Sequence, residues 1–230
     1  MSRPDNSARC LLLCYVTDRH SLSVREPSDA YQALLKKIEA AATAGVDWIQ
    51  LREKDLSGKD CGSLTRAALQ RAADSQASNA AATRILVNDR LDVALSERAG
   101  GVHLGENSLP LQETKRLAES CDRRKDFLIG VSCHSLEAAK SAASGGADYI
   151  FFGPIFATAS KAAFGAPQGL ERLAAVCSSV ALPVLAIGGV TLENAASCLS
   201  AGASGIAAIR LFQDAPDMSL VIQSLRKLTR

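Results

Sequence analysis

Ala44-Gly45-Val46-Asp47-Trp48-Ile49-Gln50-Leu51 and Gly146-Ala147-Asp148-Tyr149-Ile150-Phe151-Phe152 are two copies of one phrase. Ala201-Gly202-Ala203-Ser204-Gly205-Ile206-Ala207-Ala208-Ile209 and Ala99-Gly100-Gly101-Val102-His103-Leu104 vary it. Each reads as a helix ending at glycine, followed by a short strand. Glycine suits the left-handed position that stops a helix. The strands are apolar on both faces, as in a parallel sheet covered by helices outside and filled by side chains inside.

Working outward from the phrase gives eight strand candidates, beginning near Leu11, Val46, Ile85, Val102, Phe127, Tyr149, Pro183 and Gly205. Helical patterns follow near 30–44, 58–76, 90–98, 111–120, 135–145, 169–179, 191–201 and 215–229. Thr191, ahead of Leu192-Glu193-Asn194, and Ser135, ahead of Leu136-Glu137, read as helix N-caps. Strict alternation with short connections makes the sheet parallel. Eight units in 230 residues predict an α/β chain closed as a single (β/α)8 TIM barrel. The alternative is a doubly wound open sheet, and the absence of GxGxxG after the first strand counts against its dinucleotide-binding form. No linker rich in Pro, Gly or Ser divides the chain. Residues 11–230 therefore read as one catalytic domain and 1–10 as a disordered arm. The longest irregular stretch, Gly153 to Gly169, follows strand six, where a long loop is often functional.

Composition narrows the partners. A formal net charge of +2 is too weak to attract nucleic acid or a membrane surface, so an anionic ligand needs a local cluster. The apolar run after Cys10 is too short for a signal peptide or a membrane span. Seven scattered cysteines without a CxxC pair read as reduced thiols in a cytoplasmic protein. The expected partners are small phosphorylated substrates, with no nucleic acid and no membrane, and a homo-oligomer is left open.

In such a barrel the active site lies where strands end and the following loops begin. Gln50, Arg52 and Lys54 alternate at the end of strand two and are expected to share a face. An Arg fork and a Lys point charge there can neutralise a di- or polyanion. The plainer alternative is a surface ion pair with Glu53 or Asp55. Asn88-Asp89 ends strand three, and Asp89 is either an Mg²⁺ ligand or an N-cap. Gly188-Gly189 after strand seven, with strand eight running to Ile209-Arg210, matches the common phosphate site of such barrels, against the alternative of a tight turn. Thr158, Ser160 and Lys161 place two hydroxyls and an ammonium in the long loop, which is equipment for an anion or merely a solvated loop. His103 and His134 lie near the rim, where a ligand or acid–base role competes with ordinary packing. No spacing suggests zinc, and no nucleophile–base pair is visible.

Taken together, QLREK (50–54), ND (88–89), GVHLG (101–105), GVS (130–132), GPIFATASK (153–161) and IGGVT (187–191) resemble the thiamine phosphate synthase superfamily, in order and spacing, over almost the whole chain. The resemblance implies that a hydroxymethylpyrimidine diphosphate and a thiazole phosphate are joined with release of pyrophosphate, the thiazole nitrogen attacking a pyrimidine carbocation. It implies that Gln50, Arg52, Lys54 and Asn88 hold the pyrimidine diphosphate and that Asp89 binds Mg²⁺. Ser132 and Lys161 would contact the leaving pyrophosphate, and Thr158 and Ser160 the thiazole. Gly188, Gly189, Ile209 and Arg210 would hold the thiazole phosphate, and His103 would line the pyrimidine pocket. Catalysis would then rest on Arg52, Lys54, Ser132 and Lys161.

Three positions depart from the family pattern. Arg90 replaces the second Asp after Asn88, and Ala162-Ala163 follow Lys161 where an Asp is usual. Ser108, in Gly105-Glu106-Asn107-Ser108, stands at the place of the second Mg²⁺ carboxylate, with Glu106 nearby. These departures point toward a sister branch, the thiazole tautomerase, which the chain resembles at Ser132-Cys133-His134-Ser135, with His134 as acid–base residue. The retained Arg52, Lys54 and Lys161 favour the synthase. A barrel that binds a thiamine precursor without turnover is a third alternative.

Overall fold

Eight parallel strands pair in chain order and close on themselves, β1 lying beside β8 as well as β2. The computed structural model describes residues 11–22, 27–75, 82–158 and 166–228. The order is β1 Leu12–Val16, α1 Pro27–Thr43, β2 Trp48–Leu51, α2 Gly58–Asp74, β3 Arg84–Asn88, α3 Leu91–Ser96, β4 Gly101–Leu104 and α4 Leu111–Ser120. It continues with β5 Leu128–Cys133, α5 Leu136–Ser144, β6 Tyr149–Phe152, α6 Gly169–Ser179, β7 Val184–Ile187, α7 Ala195–Ser200, β8 Gly205–Ala208, α8 Arg210–Gln213 and α9 Met218–Lys227. The chain is thus a single (β/α)8 barrel. The expected arm, 1–10, lies outside the described residues.

Alternation along the strands separates an apolar layer under the helices, in two clusters, from the barrel interior. Leu13, Tyr15, Ile49, Ile85, Ile150 and Ile206 pack with helix residues such as Leu34, Ile38 and Leu64. The residues between them point inward, and Cys14, Val16, Trp48, Leu86, Tyr149, Phe151, Leu185 and Ala207 fill the barrel. Tyr149 needs room that its neighbour strand provides. It stands opposite Gly130, where a Cβ would overlap the tyrosine ring. The rings of Trp48 and Tyr149 lie 4.6 Å apart, tilted at 47°, a favourable aromatic arrangement.

The repeated phrase has a physical reason at the N-terminal end of the barrel. Gly45, Gly146 and Gly202 end their helices at φ of 85°, 82° and 98°. Asp47 and Asp148 each accept the backbone N–H of the preceding strand, from Leu13 and Ile129, at 2.7 Å. The fourth copy differs. Its left-handed residue is Arg98, at φ 55°, and Gly100 instead donates its N–H to Ile85 at 2.8 Å.

Ser135 caps α5, its Oγ accepting the Ala138 N–H at 3.1 Å. Thr191 does not cap α7. Asn194 Oδ1 accepts the Thr191 N–H at 2.8 Å and its Nδ2 donates to the Gly189 carbonyl at 3.0 Å, which locks a turn and delays the helix to Ala195. The single last helix expected from 215 is two, α8 and then α9, the latter capped by Asp217 on the Ser219 N–H at 2.8 Å. Among the described residues no helix is long and apolar enough to cross a membrane.

Candidate active site

The C-terminal ends of β1 and β2 are tied together by one buried carboxylate. Thr17 follows β1 and is fully buried. Its hydroxyl donates to Glu53 Oε1 at 2.6 Å and accepts the Arg52 N–H at 3.0 Å. Glu53 also accepts the Arg19 N–H at 3.1 and 3.2 Å and the Arg19 guanidinium at 3.0 Å. Arg19 reaches on to Asp55 and holds that carboxyl well below the usual carboxylate range. Both neighbouring acids are therefore taken by Arg19, and neither pairs with Arg52 or Lys54. Among the described residues those two cations have no ion-pair partner. Strand alternation is cut short, however. β2 stops at Leu51, so Lys54 lies exposed in the following turn, while Arg52 is half-buried at the mouth.

Polar side chains line the floor of that mouth. Gln50 is 2% exposed, and its Nε2 donates to Asn88 Oδ1 at 2.9 Å. Its Oε1 is buried with no hydrogen-bond partner among the described residues. On β4, His103 is also 2% exposed. Its Nδ1 lies 3.0 Å from the Tyr149 hydroxyl and its Nε2 lies 2.9 Å from Ser132 Oγ. Its ring packs 4.2 Å from that of Phe151. Burial, with the Arg52 charge nearby, pushes the His103 pKa down to about 3, so the imidazole is neutral at physiological pH. Asp89 follows at the end of β3. It is held at φ 66°, its N–H donating to the His103 carbonyl at 2.9 Å. It is not the cap of α3. Arg90 takes that position without a side-chain cap bond, and the exposed Asp89 carboxylate has no hydrogen-bond or ion-pair partner among the described residues.

The remaining positions surround this floor. His134 Nδ1 bonds the Gly153 carbonyl, which can only accept, so the proton sits on Nδ1 in the neutral ring. Nε2 then faces Glu106 Oε1 at 3.9 Å. Gly188 and Gly189 stand at φ 92° and 68°. A Cβ on Gly188 would come within 2.6 Å of Pro154, and one on Gly189 within 2.7 Å of the Ala157 carbonyl. Both must therefore be glycine for the loop after β6 to lie against them. The Ile155 and Phe156 N–H groups seal that contact on the Ile187 and Gly188 carbonyls at 2.9 and 3.0 Å. Among the described residues the Gly188 and Gly189 N–H groups meet no acceptor. Ile209 precedes the short helix α8, and Arg210 opens it, exposed. Thr158 is half-buried, while Ser160 and Lys161 lie outside the described residues.

The donors available to a divalent cation are few. Asp89 offers an uncommitted carboxylate. Ser108 Oγ accepts the Gly105 N–H at 2.7 Å and so serves the turn after β4, with Glu106 exposed beside it. Among the described residues no group of three or more His, Cys, Asp and Glu gathers as a metal cluster. One carboxylate is compatible with Mg²⁺, which commonly keeps waters and takes substrate phosphate oxygens.

The family described as thiamine monophosphate synthase matches residues 13–212, from β1 to α8. The chain belongs to that family. A thiamine-phosphate synthase of Methanocella arvoryzae is 42% identical over 188 residues, covering 82% of this chain and 84% of the relative. One of Methanoculleus marisnigri is 42% identical over 186 residues, covering 81% and 83%. The solved thiamine phosphate pyrophosphorylase of Pyrococcus furiosus is 31% identical, covers 96% of both chains and superposes with a TM-score of 0.77.

Within this synthase fold the sequence offers Glu53 only as a surface partner for Arg52 or Lys54, puts Thr17 at a strand end without a role, and does not single out Arg19 or Tyr149. Glu53 sits inside the QLREK motif, and its partner lies 34 residues earlier. Tyr149 reads as one more apolar strand residue. The glycine opposite it, Gly130, is the one available signal.

Proposed function

We infer that this chain is a thiamine-phosphate synthase, a transferase that joins hydroxymethylpyrimidine diphosphate to thiazole phosphate and releases pyrophosphate. Family membership supports the reaction. The observation that carries its placement at this rim is the Arg19 clamp on Glu53 and Asp55, which leaves Arg52 and Lys54 uncommitted. Two cations without ion-pair partners among the described residues, beside a buried polar floor, are suited to a diphosphate.

In this reading the pyrimidine lies over Gln50, Asn88 and His103. The unpartnered Gln50 Oε1 accepts from the pyrimidine amino group, and the neutral His103 lines the ring. Arg52 and Lys54, with Lys161 from the long loop, neutralise the diphosphate, and Ser132 donates to it. The C–O bond breaks with its electron pair leaving on pyrophosphate, and the thiazole nitrogen forms the new C–N bond. Cations placed where charge develops lower that barrier, and holding both substrates in line supplies much of the remainder. Thr158 and Ser160 meet the thiazole. Its phosphate sits on the Gly188 and Gly189 N–H groups with Ile209 and Arg210 beside them. Mg²⁺, held by Asp89 with Ser108 or Glu106 nearby, would neutralise further charge on the departing pyrophosphate. The free thiols of Cys14, Cys61, Cys121, Cys133, Cys177 and Cys198 support a cytoplasmic location.

One observation favours a second reading. His134 is anchored through Nδ1 on the Gly153 carbonyl and turns Nε2 toward the rim and Glu106, where an acid–base residue of a thiazole tautomerase would stand. Incubating the protein with thiazole carboxylate phosphate and following the isomer ratio separates the two. The synthase reading expects no change in the ratio, and expects thiamine phosphate once the pyrimidine diphosphate and Mg²⁺ are added. Isomerisation without thiamine phosphate would reverse the assignment, and tight thiazole phosphate binding without either turnover would make the barrel a binding protein.

A further inference from the structure

The Tyr149 hydroxyl is fully buried inside the barrel. Among the described residues its one hydrogen-bond partner is His103 Nδ1, at 3.0 Å. His103 Nε2 in turn has Ser132 Oγ, at 2.9 Å, and Ser132 is the first member of the chain to reach the open mouth. The chain can be polarised in two ways. If Nδ1 carries the proton, it donates to the tyrosine oxygen, and the tyrosine's own proton has no acceptor in the apolar interior. Ser132 must then spend its proton on the bare Nε2. If Nε2 carries the proton, Tyr149 O–H donates to Nδ1 and Nε2–H donates to Ser132 Oγ. Every buried group is then satisfied, and the Ser132 proton is free to turn outward. The penalty for an orphaned buried donor favours the second arrangement by about tenfold or more. A doubly protonated ring would also donate to the tyrosine oxygen and orphan the same buried proton.

We propose that Tyr149, acting through His103, fixes Ser132 as a hydrogen-bond donor toward the diphosphate. The opposite polarity would turn the serine lone pairs toward an anion. Tyr149 and His103 are in this respect positioning residues, and Ser132 is the group that touches substrate. The proposal rests on the synthase reading only for the identity of that anion.

The test has two parts. In the unliganded protein, nitrogen-15 NMR of the His103 ring is expected to show the Nε2–H tautomer, and the Nδ1–H tautomer would overturn the relay. In the synthase assay, Tyr149→Phe keeps the ring and removes the donor. It is expected to lower kcat about tenfold, the worth of one neutral hydrogen bond, with the KM for thiazole phosphate unchanged. In a Ser132→Ala background the same change is expected to cost nothing further. An equal loss in both backgrounds would show that Tyr149 only supports the fold. The tautomer is read without substrate, so failure of the relay is distinct from failure of the synthase reading, which would appear as no thiamine phosphate from the wild type.

Discussion

Replacing Glu53 by Ala tests how the mouth is held. The carboxylate accepts from the Thr17 hydroxyl at 2.6 Å, the Arg19 N–H at 3.1 Å and the Arg19 guanidinium at 3.0 Å. Its side chain is 1% exposed and that of Arg19 16%. Hydrogen bonds to a charged group contribute about 1.5–3 kcal/mol each. The guanidinium keeps Asp55 and gains water at its open edge, so its loss is partly offset. The Thr17 hydroxyl and the Arg19 N–H lose their acceptor in full. The expected destabilisation is about 3 kcal/mol, at the lower end of the range for breaking a buried ion pair. Urea unfolding at neutral pH measures it, with Asp55→Ala as the comparison. Asp55 is 51% exposed, and its pair with Arg19 is screened by solvent, so that variant is expected to lose less than about 1 kcal/mol. With Thr17 released, the Arg52 N–H loses its anchor, and kcat/KM is expected to fall at least about tenfold, since small misplacements of a binding group are costly. If Glu53→Ala loses no more stability than Asp55→Ala, the carboxylate is not the tie described.

Gly188→Ala is expected to cost about 2–4 kcal/mol in the same assay, from the left-handed backbone and the clash with Pro154 together. Gly169→Ala, at φ 73° with open space around it, is expected to cost only about 1–2 kcal/mol. Equal losses would mean that the close approach of the two loops is not what requires glycine. His103 falls from 6.5 to about 3 on folding, so below pH 6 the unfolded chain binds a proton that the folded protein refuses. Stability attributable to this residue is therefore lost as pH falls, by about 1.4 kcal/mol per pH unit between pH 6 and 4. His103→Asn is expected to flatten the pH–stability curve by that slope, and an unchanged curve would contradict the neutral buried imidazole. Ser108→Asp restores a carboxylate where the family pattern has its second Mg²⁺ ligand, so the Mg²⁺ concentration for half-maximal rate is expected to fall severalfold. An unchanged requirement would remove position 108 from the metal site.

The strand positions were legible because the helix-ending glycines recur at fixed places before apolar runs. Arg98 shows the limit of that signal, since a non-glycine residue can take the same left-handed turn when the chain on either side is well fixed. Thr191 was misleading for a related reason. Its spacing to Asn194 resembles a helix start, but the Asn side chain turns back onto the backbone before the helix begins. At the site, residue type at strand ends pointed to Gln50, Arg52, Asn88 and His103. What periodicity could not reveal was pairing across strands. Whether Arg52 met Glu53 or stood free depended on Arg19, a residue from another loop. Whether His103 served the site or the core depended on Tyr149 and Ser132, which β6 and β5 bring to its two ring nitrogens.

The most direct measurement of the account follows both products in one reaction. Purified protein is mixed with hydroxymethylpyrimidine diphosphate, thiazole phosphate and Mg²⁺, and thiamine phosphate and pyrophosphate are quantified over time. The account predicts that the two appear in equal amounts, only when both substrates are present, and that Arg52→Ala suppresses both together. Pyrophosphate released without thiamine phosphate, or neither product across a range of Mg²⁺, would contradict it.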